Sequence, residues 1–304
     1  MADSSVDIAV VGSLNLDLVV PVPHHPVPGE TVLGGDLAEH PGGKGANQAV
    51  AAARLGGRVA MVGRVGTDAA GERLRSALAR EGVDASRVRA TDEAPTGRAM
   101  IAVDELTGEN SIIVSPGANS VLHPEHVAFE GTLLRDARIT LLQQEVLPET
   151  VEAAVRLAGG TVLLNPAPAR ELAESVLHMV DVLVPNREEL AVLVGQALPD
   201  LHAVADAART LRGPAAVVVT LGQDGALLCE DGAVLLVPAH PVTPVDTTAA
   251  GDAFCGALAV RLAEGEPLHE AVRAANTAAA LSTTLPGAQP SLPTRAELDK
   301  ALAR

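Results

Sequence analysis

Short apolar runs rich in β-branched residues alternate along this chain with Ala-rich stretches in which apolar residues recur at helical spacing. This alternation is typical of βαβ units, in which crossover helices join buried parallel strands. The predicted strands of the α/β core are 8–11, 59–62, 140–142, 162–164, 182–184 and 216–220, and segments 225–229 and 233–237 are predicted to form another hairpin around Asp231-Gly232. The predicted helices are 46–55, 70–81, 150–158, 171–179, 188–194, 204–211, 251–280 and 294–303. The sequence therefore predicts an α/β fold around a largely parallel sheet.

Two segments, 18–39 and 97–115, depart from this pattern, because alternation with turn residues replaces helical spacing. Pro28-Gly29 and Thr107-Gly108 are turn-forming pairs, so each segment is predicted to form a hairpin. Together the hairpins would make a small second sheet, too small to fold alone, that covers a site at one end of the main sheet. We expect a single domain over residues 1–304 that carries this small sheet as a lid.

The charge balance and the scarcity of aromatic residues exclude one class of partner. The chain has 304 residues, with 22 Lys and Arg against 38 Asp and Glu, so its formal charge is −16. It contains no Trp, no Tyr and two Phe. Nucleic-acid binding needs a positive face, and single strands also need aromatic rings for stacking. We therefore expect no nucleic-acid partner.

The amino-terminal residues and the cysteines bear on location and on metal binding. Asp3 and Asp7 stand where a signal peptide has Lys or Arg, and polar residues interrupt the apolar stretch that follows. We therefore expect neither export nor a membrane partner, but a cytoplasmic protein. Cys229 and Cys255 lack a second Cys or a His at metal-ligand spacing, so they are expected to be small buried residues.

The most informative local motif is Val-Asp-Thr-Thr-Ala-Ala-Gly-Asp-Ala-Phe at 245–254, which opens an Ala-rich predicted helix. Its small residues let a ligand approach the backbone, and a helix amino terminus offers unpaired N–H groups to an anion such as phosphate. Asp252 in the first turn is placed to take a proton from a hydroxyl during phosphoryl transfer. The structural alternative is that Asp252 is a favourable first-turn acid and Asp246 an N-cap.

A second glycine-rich motif, Pro-Gly-Gly-Lys-Gly-Ala-Asn-Gln at 41–48, also runs into a predicted helix. It lacks the spacing of a P-loop and of the Rossmann fingerprint. Its backbone, with Lys44 and Asn47, suits hydrogen bonding to a polyhydroxylated ligand. The alternative is a tight strand-to-helix turn with a solvated lysine.

Asn15 and Asp17 interrupt an apolar run after the first predicted strand and lie on one face of an extended chain. Burial of such side chains is unfavourable unless they have partners. A vicinal diol would hydrogen-bond to both carboxylate oxygens of Asp17. The alternative is a polar pair that is satisfied within a turn.

Two turns after later strands are candidates for nucleotide contact. Asn186 and Glu189 lie three residues apart at a helix start, close enough to share a water-coordinated Mg²⁺ or to hold phosphate oxygens through it. The same spacing is that of an ordinary capping box. The turn Thr-Leu-Gly-Gln-Asp-Gly at 220–225 either borders a nucleotide or is a plain hairpin turn.

In identity and order these motifs resemble those of the ribokinase family of ATP-dependent carbohydrate kinases, over nearly the whole chain. The matching motifs are Gly-Ser-Leu-Asn-Leu-Asp (12–17), Pro-Gly-Glu-Thr (28–31), Gly-Gly-Lys-Gly-Ala-Asn-Gln-Ala (42–49), Pro-Gly-Ala-Asn (116–119), Asn-Pro-Ala-Pro-Ala-Arg (165–170), Pro-Asn-x-x-Glu (185–189), Thr-Leu-Gly (220–222), Asp-Thr-Thr-Ala-Ala-Gly-Asp-Ala-Phe (246–254) and Gly-Ala-Gln-Pro-Ser (287–291). The resemblance implies a three-layer αβα sandwich with a central, mostly parallel sheet and a small β-sheet lid.

The resemblance also implies ATP-dependent phosphorylation of D-ribose at O5. Asp252 would be the base, and backbone donors for the phosphate charge would come from Ala249, Ala250 and Gly251. The implied sugar contacts are Asn15, Asp17, Gly43, Lys44, Asn47, Glu145 and Asp252. The implied ATP contacts are Asn186, Thr220, Gly222, Gln223, Gly225, Gly251 and Asn276, with Glu189 organising Mg²⁺ and phosphate.

Two further implications concern a cation and assembly. A monovalent cation, usually K⁺, would lie beside the phosphate-binding loop and shape it, at Asp246, Thr248, Ser282, Leu285, Gly287 and Ser291. Lids from two subunits would pack together in a homodimer, which protects exposed strand edges. The expected lid face consists of Val32, Leu33, Ala99, Ile101, Ile112 and Val114.

Alternatives of different classes stay open at this stage. A kinase for 2-deoxyribose, another sugar or a nucleoside would differ in a few contacts, and a nucleoside is disfavoured because few aromatic residues are available to stack on a base. A sugar-binding regulator without activity would keep the same residues. A purely structural or interaction protein would have only the lid face in its favour.

Overall fold

The computed structural model of the protein describes residues 6–303, so Asp3 and the two ends of the expected domain lie outside the described residues. The strands are β1 (Ile8–Val11), β2 (Asn15–Val22), β3 (Ala38–Gly42), β4 (Val59–Gly66), β5 (Val88–Thr91), β6 (Gly97–Asp104), β7 (Asn110–Ser115), β8 (Ile139–Leu142), β9 (Thr161–Leu164), β10 (Val182–Leu183), β11 (Ala216–Thr220), β12 (Ala226–Glu230) and β13 (Ala233–Val237). The helices are α1 (Lys44–Arg54), α2 (Ala69–Arg80), α3 (Pro124–Phe129), α4 (Gly131–Asp136), α5 (Pro148–Leu157), α6 (Glu174–Leu177), α7 (Arg187–Val194), α8 (Leu201–Thr210), α9 (Ala250–Ala263), α10 (Leu268–Ser282) and α11 (Arg295–Leu302).

Nine strands form the main sheet in the order β13-β12-β11-β10-β9-β8-β1-β4-β5. The strands from β11 to β5 run parallel, and β12 and β13 add an antiparallel hairpin at one edge. All four residues of β1 are fully buried, as expected of a central parallel strand that is covered on both faces.

Helices cover both faces of this sheet and make the predicted three-layer αβα sandwich. Helices α1, α2, α9, α10 and α11 pack on one face. Helices α3 to α8 pack on the other. Alternate residues of β1 face opposite layers, since Ile8 and Val10 join the first cluster whereas Ala9 and Val11 join the second.

The predicted main-sheet strands and most helices are present, with differences at their ends. The helix predicted over 251–280 is two helices, because Gly265 adopts a positive φ of 86° and Pro267 stands at the N-cap of α10. The helix predicted over 171–179 shortens to α6. The prediction omitted β5, α3 and α4, which are short elements of four to six residues.

Four strands form the lid, in the order β3-β2-β6-β7. The predicted hairpins come together, because β2 pairs in parallel with β6 and antiparallel with β3, while β6 pairs antiparallel with β7. The sheet extends further than predicted, since β2 begins at Asn15 and β3 ends at Gly42. The register of β2 with β6 places Asp17 beside Ala99, on one face of the lid.

Most of the expected lid face is open, with one correction. Leu33, Ile112 and Val114 are exposed, and Val32 and Ile101 are partly exposed. Ala99 lies opposite Val114 and therefore on the same face of the lid, but it is only 5% exposed, so this part of the face is covered.

Helices α1 and α9 approach closely because small residues line their contact. A Cβ added to Gly256 would lie 2.5 Å from the Cβ of Ala51 and 2.9 Å from the backbone nitrogen of Ala52. Gly256 stands one turn after Asp252, so this contact brings the start of α9 against the first turns of α1. No helix among residues 6–303 is both long and apolar enough to cross a membrane.

Candidate active site

Asp252 lies in the first turn of α9 and is held by two amides from α1. The Nδ2 atom of Asn47 donates to its Oδ2 at 3.0 Å, and the Nε2 atom of Gln48 donates to its Oδ1 at 3.0 Å. Asp252 is 6% exposed, so its carboxylate is buried except toward the mouth of the site. Two of the residues expected to meet the sugar, Asn47 and Asp252, are thus in direct contact.

The charge of Asp252 is balanced by its surroundings. Burial raises the pKa of this carboxyl, while the charge of Lys44 and the hydrogen bonds from Asn47 and Gln48 act in the opposite direction. The pKa of Lys44 is raised, because the carboxylates of Asp252 and Glu145 outweigh the effect of its burial. The site therefore combines a buried carboxylate of raised basicity with a lysine that stays charged, as a general base for a hydroxyl requires.

Asp17 and Glu145 join Asp252 in a group of neighbouring carboxylates, of which Glu145 and Asp252 also lie near Lys44. Glu145 accepts hydrogen bonds from the Ser13 hydroxyl at 2.6 Å and from the backbone N–H of Lys44 at 3.0 Å. Burial, with the charges of Glu145 and Asp252, raises the pKa of Asp17 to about 7. Three carboxyl groups and a single lysine thus share one buried region, which suits the hydroxyl groups of a polyol.

The Asn15 side chain is oriented by a residue that the sequence analysis did not single out. The Nδ2 atom of Asn119 donates to Asn15 Oδ1 at 2.8 Å, and the same amide exchanges hydrogen bonds with the backbone of Leu14. The Asn15 oxygen is therefore engaged, which leaves its NH₂ group to face the site. A Cβ at Gly97 would meet both asparagine side chains, so the absence of a side chain there makes room for the pair.

The start of α9 is open toward the site. Ala249 occupies the N-cap with a left-handed conformation, φ 59°, and has no side chain that could cap the helix. Among residues 6–303 no acceptor pairs with the backbone N–H groups of Gly251 and Asp252. The residue Gly251 is exposed, and a Cβ there would meet open space. These donors and the helix dipole suit an anion.

The segment from Asn186 to Glu189 forms the capping box that the structural alternative predicted. Asn186 Oδ1 accepts from the Glu189 N–H at 2.7 Å, and Glu189 Oε2 accepts from the Asn186 N–H at 2.8 Å. Asn186 also bridges to Thr220, so two of the expected nucleotide contacts are neighbours. Burial raises the pKa of Glu189, which Lys44 counteracts. A cap at this position does not prevent a ligand from meeting the other polar atoms of the two side chains.

The turn after β11 takes its shape from glycine backbone conformations and a main-chain hydrogen bond. Gly222 and Gly225 have positive φ values of 60° and 95°, and the N–H of Leu221 donates to the carbonyl of Gly225 at 2.8 Å. Asn276 lies near this turn, but it is buried and its Nδ2 atom donates to the carbonyl of Val237 at 3.0 Å. Its amide nitrogen thus supports the end of β13 and is not offered to a nucleotide. Gln223, in contrast, is exposed.

The positions expected to surround a monovalent cation lie on two joined loops. Asp246 accepts hydrogen bonds from the N–H groups of Thr248 at 2.8 Å and Gly287 at 2.7 Å, and these bonds outweigh burial and lower its pKa. The hydroxyls of Ser282 and Ser291 donate to backbone carbonyls of their own turns. Residues 6–303 contain no group of three or more His, Cys, Asp or Glu side chains that could hold a metal.

Comparison with known proteins gives one family over almost the whole chain. The model of the pfkB family of carbohydrate kinases matches residues 6–295. A ribokinase of Bacillus subtilis is 40% identical over 300 residues, covering 98% of this chain and 99% of the relative, and one of Haemophilus influenzae is 39% identical over 295 residues, covering 95% and 96%. A deoxyribokinase of Salmonella typhi is 37% identical over 303 residues, covering 98% and 99%.

Solved structures agree with this result. The ribokinase of Thermotoga maritima has a TM-score of 0.90 at 38% identity, covering 98% of this chain and all of that one. An Arabidopsis thaliana ribokinase complexed with ribose and ATP has a TM-score of 0.88 at 34% identity, with 99% of both chains covered. Phosphofructokinase-2 of Escherichia coli in complex with potassium has a TM-score of 0.80 at 26% identity, with 98% of both chains covered. The chain is a member of the pfkB family of carbohydrate kinases.

Proposed function

We propose that this protein transfers the γ-phosphoryl group of ATP to O5 of D-ribose. The observation that carries the proposal is the position of Asp252, a buried carboxylate that lies at the open amino terminus of α9 and next to Lys44. A hydroxyl that meets Asp252 at this point stands beside donors suited to a phosphate. Relatives named ribokinase at 39% and 40% identity support ribose as the substrate.

The side chains of the site divide the work of the reaction. Asp17 and Asn15 hold sugar hydroxyls, the carboxylate as acceptor and the amide NH₂ as donor. Asp252 accepts the proton of the attacking hydroxyl. The N–H groups at the start of α9 meet the charge on the transferring phosphoryl group, which makes positioning and electrostatic stabilisation the main contributions of the protein.

ATP and Mg²⁺ fit the second half of the site. Asn186, Thr220, Gly222, Gln223 and Gly225 would border the nucleotide, and Glu189 would act on Mg²⁺ through bound water. When bound, Mg²⁺ neutralises negative charge on the phosphate oxygens. The half-buried carboxyl of Glu189 fits this role, because it lies near Lys44 and Asp252 at the start of α9.

K⁺ would be held beside the phosphate-binding loop by the segments around Asp246 and Gly287. The hydrogen bonds of Asp246 already join the two segments, so a cation at this place would fix the loop from which α9 starts. The potassium complex of a related phosphofructokinase supports this assignment.

A homodimer through the lid and a cytoplasmic location complete the proposal. The outer strand β7 is exposed along its whole length, and its residues Ile112 and Val114 lie on the face that a second lid would cover. Elution as a monomer at micromolar concentration would contradict the dimer. The cytoplasmic location and the organisation of residues 1–304 as one domain stay predictions.

The substrate is tested by ADP release with MgATP and a panel of D-ribose, 2-deoxyribose, fructose and adenosine, first in Na⁺ and then in K⁺ buffer. We expect ribose-dependent ADP release that K⁺ stimulates. Preference for 2-deoxyribose is the second candidate, since a deoxyribokinase is 37% identical to this chain. Sugar binding without ADP release would indicate a regulator and overturn the proposal.

A further inference from the structure

Gln48 is a fully buried amide at the centre of a chain of hydrogen bonds. Its exposed fraction is 0%, so it cannot touch a ligand. Its Nε2 atom donates to Asp252 Oδ1 at 3.0 Å and to Asn165 Oδ1 at 3.2 Å. Its Oε1 atom accepts from Gln143 Nε2 at 2.6 Å. Gln48 of α1 therefore contacts the carboxylate of Asp252 in α9, and the amides of Gln143 and Asn165, which follow β8 and β9, contact Gln48.

The direction of this chain is set by a backbone carbonyl. The Nδ2 atom of Asn165 donates to the carbonyl of Val184 at 2.9 Å, and a carbonyl can only accept. The Asn165 oxygen must therefore face Gln48, and the Gln48 nitrogen must face Asn165 and Asp252. The bond from Gln143 holds the opposite end of the same amide. A rotated Gln48 amide would oppose oxygen to oxygen at both Asp252 and Asn165.

This network of amides leaves one buried acceptor unpaired, which lowers stability and which core packing alone does not explain. The Oε1 atom of Gln143 is buried and finds no hydrogen-bond partner within residues 6–303. Gly12 provides the space for it, because a Cβ at this position would overlap that oxygen. Apolar side chains would fill a region that serves only stability without an unpaired acceptor.

We propose that Gln48, oriented by Asn165 and Gln143, is a positioning residue that fixes the orientation and the charge of the Asp252 carboxylate. The inference rests on the proposed function, in which Asp252 accepts the proton of the sugar hydroxyl. Asn47 donates to the other carboxylate oxygen, and it is itself an expected sugar contact. Gln48 differs from Asn47 because it acts on the reaction only through Asp252.

Most of the ionisable groups around Asp252 favour its protonated form, and the Gln48 amide opposes that tendency. The surrounding groups are Lys44 of α1, Asp17 of β2, Glu145 after β8, Glu189 of α7 and Cys255 of α9. Only Lys44 is a cation, and burial also favours the protonated form of Asp252. Loss of the Gln48 donor therefore raises the pKa of Asp252, so that less of the base is ionised at neutral pH.

The test compares Gln48→Met with Gln144→Met. Both residues are buried amides, but the Gln144 nitrogen is placed to donate to the carbonyls of Pro166 and Pro168 and does not touch Gln48. The first readout needs no turnover: ¹³C NMR titration of aspartate carboxyl groups in the full-length protein, with the Asp252 resonance assigned by its loss in Asp252→Asn. We expect the pKa of Asp252 to rise by about one unit or more in Gln48→Met and to stay unchanged in Gln144→Met.

The second readout is kinetic. In Gln48→Met we expect kcat with ribose to fall about 10- to 100-fold, as for loss of a hydrogen bond to a charged group, while the sugar Kd changes less than about twofold. The acidic limb of the profile of kcat against pH should move to higher pH. Gln143→Met, which only loosens the orientation of Gln48, should give a smaller effect of the same sign, and it serves as the test if Gln48→Met does not fold.

Three outcomes decide the matter. A folded Gln48→Met protein with an unchanged pKa of Asp252 and unchanged kcat overturns the inference. Equal losses in Gln48→Met and Gln144→Met also overturn it, because they indicate a general effect of losing a buried amide. A wild-type protein that phosphorylates none of the sugars refutes the proposed function, whereas the NMR titration still tests the role of Gln48.

Discussion

The two ends of the candidate site are built in different ways. At the sugar end, formed by Asn15, Asp17, Lys44 and Asp252, Asn15 and Asp252 are 2% and 6% exposed and accept hydrogen bonds from protein amides. At the nucleotide end, formed by the turn 220–225, the 3-10 helix Gly222–Asp224 is exposed and its shape comes from backbone φ values. From this contrast we expect chemistry to depend on a few buried side chains and nucleotide binding to depend on the path of the main chain.

The sharpest test of the contrast removes the base. Asp252→Asn keeps the shape of the side chain but cannot accept a proton, so we expect turnover to fall roughly 10²- to 10⁴-fold with sugar affinity little changed. Steady-state kinetics with ribose and calorimetric sugar binding measure the two quantities. Turnover close to that of the wild type would exclude Asp252 as the base.

A second substitution at the sugar end should separate binding from stability. Asp17→Asn removes an acceptor for the sugar, and we expect sugar affinity at pH 8 to fall by roughly 10²-fold. The free protein should become more stable at this pH, because the wild type holds a buried carboxylate whose pKa is about 7 in the folded state against 3.8 for an ordinary aspartate. The gain in the free energy of unfolding is at most about 4 kcal/mol.

The sign of this stability effect follows from proton binding. Between about pH 4 and pH 7 the folded wild type holds a proton on Asp17 that the unfolded chain has released. Its stability relative to Asp17→Asn therefore falls as the pH rises through this interval and the difference is constant above it. Denaturant unfolding at pH 4.5, 6 and 8 measures the trend, and a difference that does not vary with pH would contradict the assignment.

A smaller effect is expected for a residue that contacts a sugar-binding side chain but not the sugar itself. Asn119→Ala leaves Asn15 in place but removes the amide that orients it, so we expect KM for the sugar to rise roughly tenfold with kcat nearly unchanged. Thermal unfolding should also show a loss of stability, because Asn119 is buried and bonds to the backbone of Leu14. An unchanged KM would show that Asn15 does not depend on Asn119 for its orientation.

The smallest effect is expected at the nucleotide end. Gln223 is exposed and makes no side-chain hydrogen bond among the described residues. We expect Gln223→Ala to change KM for ATP by less than about threefold, as for a typical exposed contact. A loss of ten-fold or more would show that side chains carry nucleotide binding as they carry sugar binding, and the contrast between the two ends would fail.

Sequence patterns gave the layers and the lid because both follow from local periodicity. The alternation of apolar runs and Ala-rich stretches is a property of neighbouring residues, and so are the helix start at Asp252 and the capping box at Asn186. The contact of Gln48 with Asp252 joins positions 204 residues apart, and that of Asn119 with Leu14 joins positions 105 apart. No spacing rule reports such pairs.

One sequence signal could have pointed to these residues: a polar side chain in a segment predicted to be buried. Gln48 is a polar residue within an Ala-rich helix, and a buried amide needs partners, so a partner could have been expected without its identity. Asn276, which the resemblance implies as an ATP contact, uses its nitrogen to donate to the carbonyl of Val237, so only its oxygen is left for a nucleotide, and its role stays a prediction. Ala99 lies on the face that the alternation predicts, opposite Val114, but the alternation did not reveal that this position is only 5% exposed.

The raised pKa of Asp17 has a consequence for the enthalpy of sugar binding. At pH 7 about half of the free molecules carry a proton on this group, because its pKa is about 7. A diol that pairs with the ionised carboxylate releases that proton to the buffer. The calorimetric enthalpy of sugar binding at pH 7 should therefore vary with the ionisation enthalpy of the buffer, with a slope of about one half, and the dependence should vanish at pH 9.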